Sequence, residues 1–374
     1  MNIPMVDLRN QYLKIKQEID AALIRCAESA QYIKGPEVKR FEENMASYLG
    51  VNHVISCGNG TDALQIALMA AELKPGDEII VPAFSYIASA EAIALLNLTP
   101  VMVDVDPYTF NIDVDALKKA ISPKTKAIVP THLYGQSADM ESIMQLAEKH
   151  GLLVIEDNAQ ALGAETIFSN GQIKKTGTIG HIGCNSFFPT KNLGTFGDGG
   201  ALTTNDPQLA ERCRMISAHG QREKYYHEIV GFNSRLDALH AAILNVKLNH
   251  LDQYLAARQK AANYYYENLG EVEWIDLPKR AEYAKHSFNQ FTLTVKYDKR
   301  DALQEHLKQS SISSIIYYPM PLYQQPALRK YNPADFKLKN TEMLCSSVLS
   351  IPMHTELTEK IQDRIISAIK KFKD

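Results

Sequence analysis

The stretch HVISCGNGTDALQIALMAAEL (53–73) decides the fold. Its first five residues form a short apolar run of the kind found in a buried strand. From Asp62 to Leu73 the apolar residues recur at helical spacing. Between the two lie Gly58, Gly60 and Ala63, in the G-x-G-x-x-A form of a dinucleotide-binding turn. A turn that leaves a strand and opens a helix offers free backbone N–H groups to any phosphate. The same residues also read as an ordinary glycine turn, with Thr61 or Asp62 capping the helix.

Outward from this unit the alternation recurs. EIIVP (78–82) is followed by SAEAIALLN (89–97), then PVMVDVD (100–106). DVDALKKAI (113–121) leads to KAIVPTHL (126–133), and MESIMQLAEKHG (140–151) leads to LLVIED (152–157). Strands rich in Val and Ile joined by amphipathic helices predict a parallel sheet with crossover helices. Gly76 and Gly151 stand where left-handed helix C-caps are expected. Beyond Gly200 the pattern changes. Residues 235–269 read as one long helix or two joined ones. HSFNQFTLTV (286–295) and SISSIIYYP (311–319) read as strands around the helix RDALQEHLKQ (300–309). The expectation is an α/β chain: a large domain over 1–249 with a mixed, mostly parallel sheet, and a smaller α/β domain over 250–374. The N-terminal segment is a candidate to pack on the small domain.

The 374 residues carry a net charge of −3 and are 45% hydrophobic. No basic run supports nucleic-acid binding, and no apolar run approaches the roughly 18 residues of a membrane span. The opening MNIPMVDLRNQYLKIKQEID lacks the apolar core of a signal peptide. Cys26, Cys57, Cys184, Cys213 and Cys345 are scattered, with no metal-ligand or disulfide spacing. These features predict a cytoplasmic protein with reduced thiols and no metal.

Three further stretches carry chemistry. In LLVIEDNAQ (152–160), Asp157 ends a strand, where parallel sheets bind ligands. A carboxylate there meets a cation or caps the next helix. In NSFFPTKNLGTFGDGG (185–200), Lys191 lies between an aromatic strand end and a glycine run. A desolvated lysine is a nucleophilic amine, while a loop lysine is ordinarily solvated. In GFNSRLDALHAAIL (231–244), Asn233 and Ser234 precede a helix and read as its cap. A pyridoxal phosphate enzyme needs a Schiff-base lysine, a carboxylate at the pyridine nitrogen and N–H donors for the phosphate. The chain supplies them in the order turn, aromatic Tyr86 (in PAFSYIASAEA, 82–92), Asp157 and Lys191.

This constellation resembles the sugar-nucleotide aminotransferases of the DegT/StrS type, with the fold-type I architecture. The resemblance runs through VDLRNQY (6–12), QYIKGPEVKRFEE (31–43), PTHLYGQSADM (130–140), EDNAQALGA (156–164), SFFPTKNLGTFGDGGA (186–201), YPMPLYQQPAL (318–328) and LSIPMH (349–354). It implies that Lys191 carries the cofactor and shuttles protons, and that Asp157 pairs with the ring nitrogen. Gln160 would approach the phenolic oxygen and Tyr86 would stack on the ring. Gly60, Thr61 and Ser186 would hold the phosphate. Asn233 would reach the phosphate of a neighbouring subunit, which implies a homodimer with shared sites. His219 and Tyr226 would handle substrate. Tyr317 and Tyr323, where histidines are frequent in the family, would line the sugar or nucleotide pocket. Asn158 and His240 also depart from the family pattern.

The implied reaction moves an amino group from L-glutamate, through the pyridoxal and pyridoxamine forms of the cofactor, to a keto-sugar nucleotide. The HGQ…KYYHE…GFNSRLD pattern favours a 3-keto over a 4-keto sugar, for amino sugars of cell-surface polysaccharides or natural products. A lysine at 191 argues against the family's dehydratase branch. Two other readings stand beside it. One is a nicotinamide-dependent oxidoreductase resting on GNGTDA. The other is a non-catalytic sensor or scaffold that keeps the fold.

Overall fold

The structure, a computed structural model, describes residues 2–372. The opening unit folds as a strand, His53–Cys57, and a helix, Gly60–Ala70. The helix buries Ala63, Leu64, Ile66, Ala67 and Leu68 against the sheet. Its cap is neither Thr61 nor Asp62. Asn59 takes that place, its Oδ1 accepting the Asp62 N–H at 2.8 Å, because its extended backbone aims the side chain back at the first turn.

Seven strands form the central sheet, in the spatial order His53–Cys57, Gly200–Thr204, Ile182–Ser186, Leu153–Asp157, Thr125–Ile128, Glu78–Pro82, Thr99–Val103. Gly200–Thr204 runs against both its neighbours, and every other adjacent pair is parallel. Register then builds the site. Gly200 pairs with both Cys57 and Ser186, and Asp157 pairs with Cys184. The turn after Cys57, the Ser186 hydroxyl and the Asp157 carboxylate therefore collect at one edge of the sheet. A Cβ on Gly200 would lie 2.3 Å from the Asn59 carbonyl oxygen, so glycine there lets the turn settle onto the reversed strand.

A second core forms around a three-stranded antiparallel sheet, Ile275–Asp276, Phe291–Val295 and Val348–Ile351. Leu251–Leu269, Arg300–Gln309 and Glu359–Lys371 cover it, and Tyr265, Phe291, Leu303 and Ile365 are fully buried within it. Ile3 joins this core and bridges Ile312, so the N-terminal residues pack here. Leu322, Tyr323 and Leu328 return to the core of the large sheet.

Some expectations need correction. The 235–269 pattern resolves to the second of its two alternatives, two joined helices, Ala238–Asn249 and Leu251–Leu269, meeting at His250. Its first helix is preceded by Asp237 without a side-chain cap bond, so neither Asn233 nor Ser234 caps it. The strand expected over 286–295 begins only at Phe291. Phe288 has φ 48°, and Arg258 takes the Phe288 and Asn289 carbonyls at 3.0 and 3.3 Å, which removes them from any ladder. The run 311–319 is no strand. Ser313 bonds to Ile3 and Ile315 to Ser350, so successive residues serve different partners and no ladder grows. Gly151 is the expected left-handed cap, at φ 64°. Gly76, at φ 89°, is a turn residue beyond a helix that ends at Ala70. Among the described residues no helix is long and apolar enough to cross a membrane, and the five cysteines are buried free thiols.

Candidate active site

Asp157 reaches the sheet edge with its carboxylate nearly buried. Oδ2 accepts the Ser89 hydroxyl at 2.6 Å and Oδ1 accepts the Ala159 N–H at 3.2 Å. The residues after it form turns, so it caps no helix. Lys191 lies half-buried in the turn beyond Ser186, its N–H donating to the Phe188 carbonyl at 2.9 Å. Burial pulls its amine down to about 8, against the opposing pull of the Asp157 carboxylate. A desolvated amine and a strand-end carboxylate thus share one field.

The phosphate-type turn is selective about which N–H groups it leaves free. The Gly58 N–H is taken by Ser234 Oγ at 2.9 Å, and that hydroxyl donates to Asp62 Oδ2 at 2.6 Å. Gly60 and Thr61 open the helix, so their N–H groups have no intrahelical acceptor. A Cβ on Gly60 would sit 2.7 Å from Ser186 Cβ and 3.2 Å from its Oγ. Glycine there puts two amides and a hydroxyl around one hollow at a positive helix end.

Gln160 is buried on the other side of Asp157. Its Oε1 accepts the Tyr134 N–H at 2.8 Å and its Nε2 donates to the Tyr318 hydroxyl at 2.9 Å. The Tyr318 ring lies 6.2 Å from both Tyr86 and Phe84, and Tyr134 donates its hydroxyl to the Tyr317 carbonyl. Tyr86 is 57% exposed, a ring free to cover a ligand. Beneath the site, Ala138 N–H donates to His132 Nδ1 at 3.0 Å. That leaves the proton on Nε2, which meets Glu156 Oε2 at 2.8 Å. Glu156 also accepts the N–H groups of Gly177, Ile179 and Gly180. Burial raises its carboxyl, but these hydrogen bonds, His132's first, hold it below the ordinary value.

The remaining residues are dispersed. Tyr226 is exposed on a small hairpin, Gln221–Glu223 with Tyr226–His227, and His219, with φ 62°, is exposed just before it. Asn233, also exposed, is bridged to it through Ala218. Tyr317 is half-buried beside a cavity of about 1050 Å³ that Thr190 also lines. Tyr323 is buried in the large core. Its hydroxyl donates to Glu342 Oε1 at 2.8 Å and accepts the Leu338 N–H at 3.2 Å, which leaves no free polar group to line a sugar pocket. Sequence reasoning missed Ser89, Tyr134, Tyr318 and the His132–Glu156 pair. The one signal for Ser89 is a hydroxyl in the alanine-rich run SAEAIALLN.

The residues fit a pyridoxal group. A buried carboxylate whose donors are a hydroxyl and an amide has room for a cationic partner. The glycine hollow suits a phosphate, and the desolvated Lys191 amine is readily deprotonated. The reversed strand in an otherwise parallel sheet, with the site at its edge, is the architecture of fold-type I aminotransferases. The DegT/DnrJ/EryC1/StrS aminotransferase family model matches residues 13–370, and the chain belongs to that family. It is a pyridoxal-phosphate-dependent aminotransferase. A relative from Geobacillus stearothermophilus named "Pleiotropic regulatory protein" is 46% identical over 100% of this chain and 99% of its own. The UDP-2-acetamido-2-deoxy-3-oxo-D-glucuronate aminotransferase of Pseudomonas aeruginosa is 44% identical over 95% of this chain and 96% of its own. Among solved structures, S. venezuelae DesV in complex with a ketimine intermediate superposes with TM-score 0.95 at 39% identity, covering 100% of both chains. NtdA of Bacillus subtilis with bound cofactor PMP gives 0.88 at 33%, covering 96% of this chain and 81% of that one.

Proposed function

We propose that this chain transfers an amino group from L-glutamate to a nucleotide-linked 3-keto sugar, forming an amino sugar for glycan or natural-product synthesis. The observation that carries the reading is the convergence, by strand register, of the turn after Cys57, the Ser186 hydroxyl and the buried Asp157 carboxylate, with the desolvated Lys191 amine in the field of that carboxylate. The 3-keto preference is supported by the substrate in the name of the Pseudomonas relative. It is also supported by a 43% identical UDP-N-acetyl-3-dehydro-alpha-D-glucosamine 3-aminotransferase from Acidithiobacillus ferrooxidans.

When bound, pyridoxal phosphate supplies an aldehyde that takes up the amino group and a ring that spreads the charge left by proton removal. Lys191 Nζ, unprotonated above about pH 8, would hold that aldehyde and would serve as the base that moves a proton. Asp157 would hold a proton on the ring nitrogen. Gly60 and Thr61 N–H and Ser186 Oγ would hold the phosphate, Gln160 would approach the phenolic oxygen, and Tyr86 would cover the ring. Asn233 reaches the phosphate of a second copy in a homodimer, and its exposure supports that use. His219, Tyr226 and Tyr317 remain the substrate candidates, while Tyr323 does not, because its hydroxyl is committed. We read the division as 1–249 and 250–374, supported by the two separate cores, and the compartment as cytoplasmic, supported by the free buried thiols.

A panel of 3-keto and 4-keto sugar nucleotides with glutamate, read by mass, tests the reading. A gain of the amino group on 3-keto members supports it, and turnover of 4-keto members alone contradicts the preference. The second reading, a non-catalytic sensor or scaffold that keeps the fold, has only the word "regulatory" in the name of the Geobacillus relative beside it. It requires bound cofactor without turnover across the whole panel.

A further inference from the structure

The glycine run after Lys191 lies against the helix Ala238–Asn249, whose positions 240, 244 and 247 share one face. A Cβ on Gly197 would lie 2.8 Å from the His240 ring, and Thr195 Oγ1 donates to the His240 carbonyl at 3.3 Å. Leu244 is fully buried. At the end of this face Lys247 is 3% exposed. Its Nζ donates to the Gly194 carbonyl at 2.7 Å and to Gln11 Oε1 at 3.2 Å, and lies 5.0 Å from the Phe196 ring centroid. Burial alone pulls its amine down to about 8, with no carboxylate to offset it.

An ammonium buried among neutral partners costs several kcal/mol, and an apolar side chain of similar volume would avoid that cost. What the lysine adds is a donor that reaches one particular carbonyl. The turn that presents Lys191 is tied from inside by Lys191 N–H to the Phe188 carbonyl at 2.9 Å and Thr195 N–H to the Phe187 carbonyl at 2.8 Å. It is tied to the next segment by Asn192 Nδ2 to the Leu162 carbonyl at 3.2 Å. It is so tight that a Cβ on Gly194 would meet the Pro189 carbonyl oxygen at 2.4 Å. The outward Gly194 carbonyl is held by Lys247.

We propose that Lys247 is a positioning residue for Lys191: by holding the Gly194 carbonyl it fixes the turn from which the Lys191 amine is aimed at Asp157. Through Gln11 and the Tyr12–Phe196 edge contact, with centroids 5.8 Å apart, the clamp extends to the N-terminal helix Leu8–Lys14. The inference rests on the reading of Lys191 as the reactive amine.

The test compares holoenzyme of wild type, K247M and K247Q by the pH titration of the bound chromophore and by kcat and KM with glutamate. A misplacement of about 1 Å at a reacting group costs up to about 100-fold in rate. K247M is therefore expected to lose about 10- to 100-fold in kcat, with KM within about twofold, and to shift the titration midpoint by about half a unit or more. K247Q keeps a shorter, neutral donor and is expected to recover part of both. A wild-type midpoint and kcat in K247M overturn the proposal. If K247M does not fold, K247Q carries the test, and an unchanged midpoint there overturns it; if neither folds, Lys247 serves the core and the proposal also falls. A wild-type chromophore not attached to Lys191 sinks the functional reading instead.

Discussion

Entering the sheet edge strips water from the Lys191 amine, and burial outweighs the pull of Asp157, so the pKa falls from 10.5 to about 8. The folded chain then holds that proton less tightly than the unfolded chain between about pH 8 and 10.5. This group accordingly favours folding more as pH rises through that window. In cofactor-free protein, acylation of Lys191, followed by peptide mass, is expected to show a midpoint near pH 8. A midpoint near 10.5 would mean the amine is solvated. Asp157→Asn removes the charge that would hold a proton on the ring nitrogen. Transamination is expected to fall about a hundred- to a thousandfold, with little change in melting temperature. Ser89→Ala leaves Asp157 Oδ2 without its hydroxyl donor and is expected to cost about tenfold in rate; an unchanged rate would show that the hydroxyl does not orient the carboxylate. The strand-end position of Asp157 and the loop position of Lys191 beside a glycine run were legible, because strand ends and glycine runs have local signatures; their proposed roles came from the resemblance. Ser89 and Tyr318 were not: they lie 68 and 158 positions from the partners they bond, and only the fold brings them together.

Elements fix the register that these side chains need. Gly200→Ala would drive a Cβ into the Asn59 carbonyl, backbone against backbone, and lift the phosphate turn off the reversed strand. Weaker cofactor binding, by tenfold or more on fluorescence titration, is expected together with a lower melting temperature. Unchanged binding would mean the turn does not hold the phosphate. The alternation over 53–157 was readable because the strands are largely buried apolar runs and the helices between them bury an apolar face. The runs 286–295 and 311–319 misled for one reason: β-branched composition reports burial, while a ladder needs one continuous partner. There Arg258 takes the carbonyls of the first, and Ile3 and Ser350 divide the second. The helix cap at Asn59 was missed by two or three positions because three neighbouring polar residues could each have served.

At the scale of the molecule, two cores flank the site, and the chain crosses between them more than once. Ile3 enters the C-terminal core, and Tyr323 returns to the large one. Such interleaving favours one cooperative unfolding transition over two, a result calorimetry can check. On the proposed reading, the exposed Asn233 would meet the phosphate of a second copy. Light scattering is expected to report a dimer, and Asn233→Ala to weaken cofactor binding; a fully active monomer would end that reading. The central claim is covalent. The yellow holoenzyme should be reduced with borohydride, digested and searched by mass for the pyridoxyl group. The account expects it on Lys191. A label on Lys247 or on any other lysine, or no label at all, would contradict it.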